Sequence, residues 1–78
     1  MKIYKNDSDS IRVGTYEENG KYYIIVERVY NTLVATKHSR KPHVEEMMKR
    51  YEREFDNKDK ANNYFKAIKR NNPTLKAL

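Results

Sequence analysis

A chain of 78 residues with no cysteine and a formal net charge of +6 makes one small domain, too short to enclose a large catalytic cavity and unable to form disulfides, thiolate nucleophiles or zinc-thiolate sites. Hydrophobic residues are 37% and charged residues 36%, which leaves a thin stability margin, yet seven tyrosines and two phenylalanines in periodic runs argue against disorder. No apolar run is long enough to cross a membrane and Met1-Lys2-Ile3-Tyr4 has no signal-peptide core behind it, so a cytoplasmic protein with no membrane partner is expected.

The charge is unevenly placed. Residues 1 to 36 carry five basic and five acidic side chains, whereas residues 37 to 78 carry twelve and six, so the whole excess lies in the second half. Such asymmetry points to a polyanion or an acidic partner on that side, although a moderate net charge also serves solubility alone.

In chain order, Ile3 and Tyr4 suggest a short edge strand. Asp7-Ser8-Asp9-Ser10 resembles the start of a calcium loop, but Ile11 and Arg12 stand where an oxygen ligand and a glycine are needed, so a polar turn is expected. Residues 11 to 30 predict a β-hairpin, because Asn19-Gly20 lies between two runs of β-branched and aromatic residues. With those two as the loop, Glu18 faces Lys21. Counting outward sets Val13 opposite Val26, Thr15 opposite Ile24 and Ile11 opposite Arg28 on the core face. Arg12 with Glu27, Gly14 with Ile25 and Tyr16 with Tyr23 take the other face, the first as an ion pair.

Leu33 to Thr36, after a weaker turn at Asn31-Thr32, suggests a third antiparallel strand. Lys37-His38-Ser39-Arg40-Lys41-Pro42-His43 is a basic connector, either a solvated linker or a loop whose cations contact phosphates. Val44, Met47, Met48, Tyr51 and Phe55 then fall on one helical stripe, with Pro42 suited to the first turn and Glu45–Lys49 and Glu46–Arg50 spaced as i, i+4 pairs. A competing reading makes Lys49 to Phe55 a strand, since Lys49, Tyr51, Arg53 and Phe55 would share a face.

A second helix follows, with Asp56 as N-cap and Asp59 in the first turn. Ala61, Tyr64, Phe65 and Ile68 form its packing stripe against Val13, Ile24 and Val26. Asn62, Lys66, Lys69 and Arg70 face away, and Asn71-Asn72-Pro73 ends it. The tail from Asn71 to Leu78 is expected to fray. The fold class expected is therefore α+β: a three-stranded antiparallel sheet, from hairpin 11–30 and strand 33–36, packed by two C-terminal helices at 42–55 and 57–71.

Enzymatic readings lack their parts. His38 and His43 are the only histidines, and His43-Val44-Glu45-Glu46 does not place two imidazoles on one helical face for zinc. The two glycines sit in a strand and in a hairpin turn, so no glycine-rich loop cradles phosphate. Nearly every carboxylate has a cationic neighbour, which lowers its pKa rather than raising it as a general acid requires. A non-enzyme without metal or cofactor is the expectation.

Two candidate binding surfaces remain. One is the basic set Lys37, Arg40, Lys41, Lys58, Lys66, Lys69 and Arg70; the other is the outward sheet face with Arg12, Tyr16 and Tyr23. Gly14-Thr15-Tyr16, Asn19-Gly20-Lys21-Tyr22-Tyr23 and Phe55-Asp56-Asn57-Lys58-Asp59-Lys60-Ala61 resemble the small AP2-like, arm-type DNA-binding domains of phage integrases. That resemblance implies a three-stranded sheet in the major groove braced by one helix, with Arg12, Tyr16 and Tyr23 facing DNA and the helix from Asn57 structural. In build, a short cysteine-free hairpin-plus-helix protein is also similar to phage-encoded inhibitors of host defences, including anti-CRISPR proteins, which occupy a partner site without catalysis. The function expected is a small basic binding module of phage or mobile-element type, directed at DNA, RNA or a nucleoprotein complex. The alternative is a protein-directed inhibitor of a host defence system, and a homodimer is a further possibility.

Overall fold

The computed structural model of the chain describes residues 1–34 and 43–78. Its elements in order are β1 (Lys2–Lys5), β2 (Ile11–Glu18), β3 (Lys21–Val34), β4 (His43–Phe55), α1 (Lys58–Asn71) and β5 (Lys76–Ala77). All five strands form one antiparallel sheet in the order β4-β3-β2-β1-β5.

The β2–β3 hairpin follows from its turn. Asn19 and Gly20 adopt φ of 53° and 76°, the left-handed pair that matches the twist of the flanking strands. The register counted from the sequence holds in full, from Glu18 opposite Lys21 to Ile11 opposite Arg28. At the other end of β2, the Asn6 side chain organises the turn from β1, accepting from the backbone N–H groups of Ser10 at 2.9 Å and Ile11 at 3.1 Å. The polar turn expected at residues 7 to 10 is thus present.

Two expectations fail beyond the hairpin. Asn31-Thr32 is not a turn: β3 runs on through it to Val34, so Leu33 and Val34 belong to β3 rather than to a separate strand, and residues 35–36 of the expected strand lie outside the described residues. Residues 42–55 do not form a helix, because 43–55 is a strand paired with β3 over its whole length, from Tyr22 opposite Phe55 to Val34 opposite His43. Among the described residues the sheet is five-stranded with one helix, not three-stranded with two. The stripe of Val44, Met47, Met48 and Tyr51 that would have packed a helix stays exposed, at 65%, 42%, 64% and 46%. The physical reason lies in β3, whose long unpaired edge offers β4 a full ladder of backbone hydrogen bonds. The competing strand reading of Lys49 to Phe55 is the one realised, extended back to His43.

Helix α1 carries the chain from one edge of the sheet to the other. Four strand spacings separate β4 from β5, about 19 Å, and 14 helical residues span about 21 Å. Its N-cap is Asn57 rather than Asp56: the Asn57 side chain accepts from the N–H groups of Asp59 at 2.7 Å and Lys60 at 3.4 Å. Asn72 closes the other end. The helix covers one face of the sheet, and the core between them comprises Ile11, Val13, Ile24, Val26, Ala61, Ile68 and Leu75, with Tyr4, Tyr22, Phe55, Tyr64 and Phe65 packed around it. Val13, fully buried, is its centre.

The last residues do not fray. Leu75 is buried, and Lys76–Ala77 pairs with Lys5 and Tyr4, which makes β1 an inner strand instead of an edge. Because β2 ends opposite Arg28 while β3 and β4 continue, residues 29–34 and 43–48 project as a two-stranded arm, and the molecule measures 52 × 25 × 18 Å. No helix among the described residues is long and apolar enough to cross a membrane.

Candidate nucleic-acid interface

Strand alternation sorts the charge of β4 between the two faces of the sheet. Even-numbered Glu46, Arg50, Glu52 and Glu54 lie on the open face, away from α1, and odd-numbered Lys49 and Arg53 lie on the helix side with Glu45. The open face is rich in glutamate, since β2 and β3 add Glu18 and Glu27 there. The helix side gains Arg28 from β3, directly opposite Lys49.

Arg12, Tyr16 and Tyr23 are on the open face and are engaged there with one another's neighbours. Tyr16 and Tyr23 stack with centroids 4.7 Å apart and planes 9° from parallel. The Tyr16 hydroxyl donates to Glu52 Oε1 at 2.7 Å, and that bond, aided by desolvation and the Glu52 charge, pushes its pKa up to about 12. Arg12 pairs with Asp9 at 3.4 Å, not with Glu27, whose partner is Arg50 at 4.0 Å. Lys21 meets Glu54 at 2.6 Å, and the carboxylate holds its ammonium pKa above the usual range.

Lys58, Lys66, Lys69 and Arg70 are all exposed on α1, on the opposite side of the molecule from that trio. Lys58 begins the helix, about 16 Å along the axis from Lys69, so Lys66, Lys69 and Arg70 form the compact group. Lys37, Arg40 and Lys41 lie outside the described residues.

The residues that sequence reasoning missed sit beside the C-terminal end of α1. There the helix side of the sheet leaves a groove of about 370 Å³ lined by Arg28, Tyr30, Lys49, Tyr51 and Asn72, together with Ser10, Ile11 and Val29. Arg28 and Lys49 are both exposed, and among the described residues no carboxylate pairs with either of them. Like charges directly opposite on neighbouring strands are destabilising. Tyr30 and Tyr51, the next residues outward and inward on the same face, are 41% and 46% exposed, which leaves ring surface available on both sides of the cations. Arg53 continues the row but is used internally, its guanidinium 4.9 Å from the centroid of Tyr64 and 5.8 Å from that of Phe55. Asn72 joins the groove to the last helical turn, which bears Lys69 and Arg70. The alternation of Lys49, Tyr51 and Arg53 was the one sequence signal that pointed here.

Chemically the groove offers two adjacent cations without counter-ions among the described residues, flanking phenol rings and an amide. It suits a chain of negative charges with flat groups between them, and it holds no paired acid and base. No family model matches this chain, and neither a curated protein nor a solved structure does.

Proposed function

We propose that the chain is a non-catalytic binding module for nucleic acid, which it takes along the helix side of the sheet. The observation that carries this reading is the opposition of Arg28 and Lys49, without an anionic partner among the described residues, between Tyr30 and Tyr51. A phosphate seated between the two cations relieves their repulsion, and exposed tyrosines beside them provide stacking surface for unpaired bases. Lys69 and Arg70 on the adjoining helical turn extend the cationic track. The stacking surface favours a single strand over a duplex, because paired bases present no free ring face. A labelled oligonucleotide, single-stranded and as a duplex, titrated with the protein at two salt concentrations tests this. Binding that weakens steeply with salt and favours the single strand supports it; no binding at low salt refutes it.

A second reading is favoured by the open face, where Ile3, Val44 and Met48 are exposed at 40%, 65% and 64%, the last two on the projecting arm and away from the tyrosine stack. It makes the protein a protein-directed inhibitor of the anti-CRISPR-like kind, occupying a partner site. One stoichiometric protein partner retained from nuclease-treated lysate, together with no affinity for oligonucleotides, distinguishes it.

A further inference from the structure

We infer that β4 is the pairing edge for a second copy of this chain, joined antiparallel about a two-fold axis that passes through Met48. β4 ends the sheet on one side, and among the described residues nothing pairs with its outer edge over thirteen residues that include no proline or glycine. The opposite edge, β5, is two residues long and too short to template a strand. In a two-residue hairpin the residues flanking the turn exchange both backbone bonds. Counting from Glu18 and Lys21, the even-numbered residues of β3 therefore bond β4, and the even-numbered residues of β4 turn their N–H and C=O groups outward.

The charges of β4 select the register. A two-fold axis perpendicular to the sheet keeps each residue on its own face, so only residues of equal parity oppose one another. Centred on Lys49, the pairing sets Lys49 against itself and Glu46 against Glu52. Centred on Arg50, it sets Arg50 against itself and Glu46 against Glu54. Centred on Tyr51 it opposes Lys49 and Arg53, and centres on Glu45, Glu46, Glu52, Arg53 or Glu54 oppose like charges at the axis itself. Centred on Met48, every direct pair among residues 44–52 is free of like charge: Glu46 meets Arg50 twice, Met47 meets Lys49, Glu45 meets Tyr51 and Val44 meets Glu52. A centre on Met47 also avoids like charges but overlaps a shorter length of strand. The Met48 register also lays each two-stranded arm, residues 43–48, beside the broad part of the partner's sheet, which gives an otherwise two-stranded ribbon a third and fourth strand. This pairing is independent of what the groove binds.

The chain has no cysteine, so a single introduced thiol reports the register without interference. Light scattering of the wild-type protein is expected to give twice the 9.4 kDa chain mass. Met48→Cys is expected to oxidise to a covalent dimer, because the two thiols face each other at the axis with Cα atoms about 5.5 Å apart. Met47→Cys is expected to remain unlinked, its thiols held on backbones roughly 8 Å apart. Glu46→Arg is expected to weaken the dimer about tenfold and the Glu46→Arg, Arg50→Glu double variant to restore it, since the pairs across the axis only exchange sign, while the loss of the Arg50–Glu27 pair falls within each chain. A monomer at all concentrations, or cross-linking by Met47→Cys in place of Met48→Cys, overturns the inference.

Discussion

Arg28 and Lys49 face each other across the β3–β4 ladder on the helix side of the sheet, two cations with which no carboxylate among the described residues pairs. The opposition costs stability in the free protein, and the proposed binding of an anion would relieve it. Arg28→Glu should therefore act in opposite directions on folding and on binding. It replaces a repulsive cross-strand pair with an attractive one, so urea unfolding should show a gain of a few tenths to about 1 kcal/mol, while oligonucleotide affinity should fall. A loss of stability would show that the two side chains avoid each other.

Tyr16 should hold its proton beyond the ordinary tyrosine range. Its proton is held by the hydrogen bond to Glu52, with the pKa pushed up to about 12. The native state thus keeps a proton that the unfolded chain releases nearer 10. The stability this contributes is present below about pH 10 and is lost as the pH rises through about 12. An ultraviolet phenolate titration should show a late-ionising component that Glu52→Gln brings back toward the ordinary range.

The helix cap separates two adjacent residues. Asn57→Ala should cost about 1 kcal/mol, since it removes the acceptor for the N–H groups of Asp59 and Lys60. Asp56→Ala, which loses only an exposed pair with Lys60 at 3.8 Å, should stay within about 0.5 kcal/mol. Equal losses at both positions, measured by urea denaturation, would contradict the assigned cap.

Core and arm should respond differently to truncation. Leu75→Ala should cost roughly 2–4 kcal/mol, because the side chain is 3% exposed between β5 and the helix. Met48→Ala, at 64% exposure, should change the stability of the monomer by less than about 0.5 kcal/mol. Were residues 42–55 a packed helix, the second substitution would cost as much as the first.

The sequence showed the hairpin, its register and the packing stripe of α1 because each depends on local rules: a two-residue Asn-Gly turn, period-two alternation and a 3.6-residue period. β4 was hidden because Val44, Met47, Met48, Tyr51 and Phe55 satisfy a helical period while the same segment alternates from Lys49 onward. What decides between them is the free edge of β3, a partner distant in sequence that no local pattern reveals. The groove was hidden with it, since Arg28 and Lys49 become neighbours only when β4 is a strand. The two-residue β5 depends on Leu75 finding the core, which a polar tail gives little sign of. The basic set on α1 was legible as a surface, yet its nearest partners on the sheet were not.

The most direct measurement is the salt dependence of binding to a labelled single-stranded oligonucleotide, for wild type and for the Arg28→Glu, Lys49→Glu double variant. Contacts from Arg28, Lys49, Lys69 and Arg70 predict a log–log slope near about −3 for the wild type, with the variant both weaker and shallower by about 1.4. An unchanged slope and affinity in the folded variant would contradict the placement of the nucleic acid in this groove.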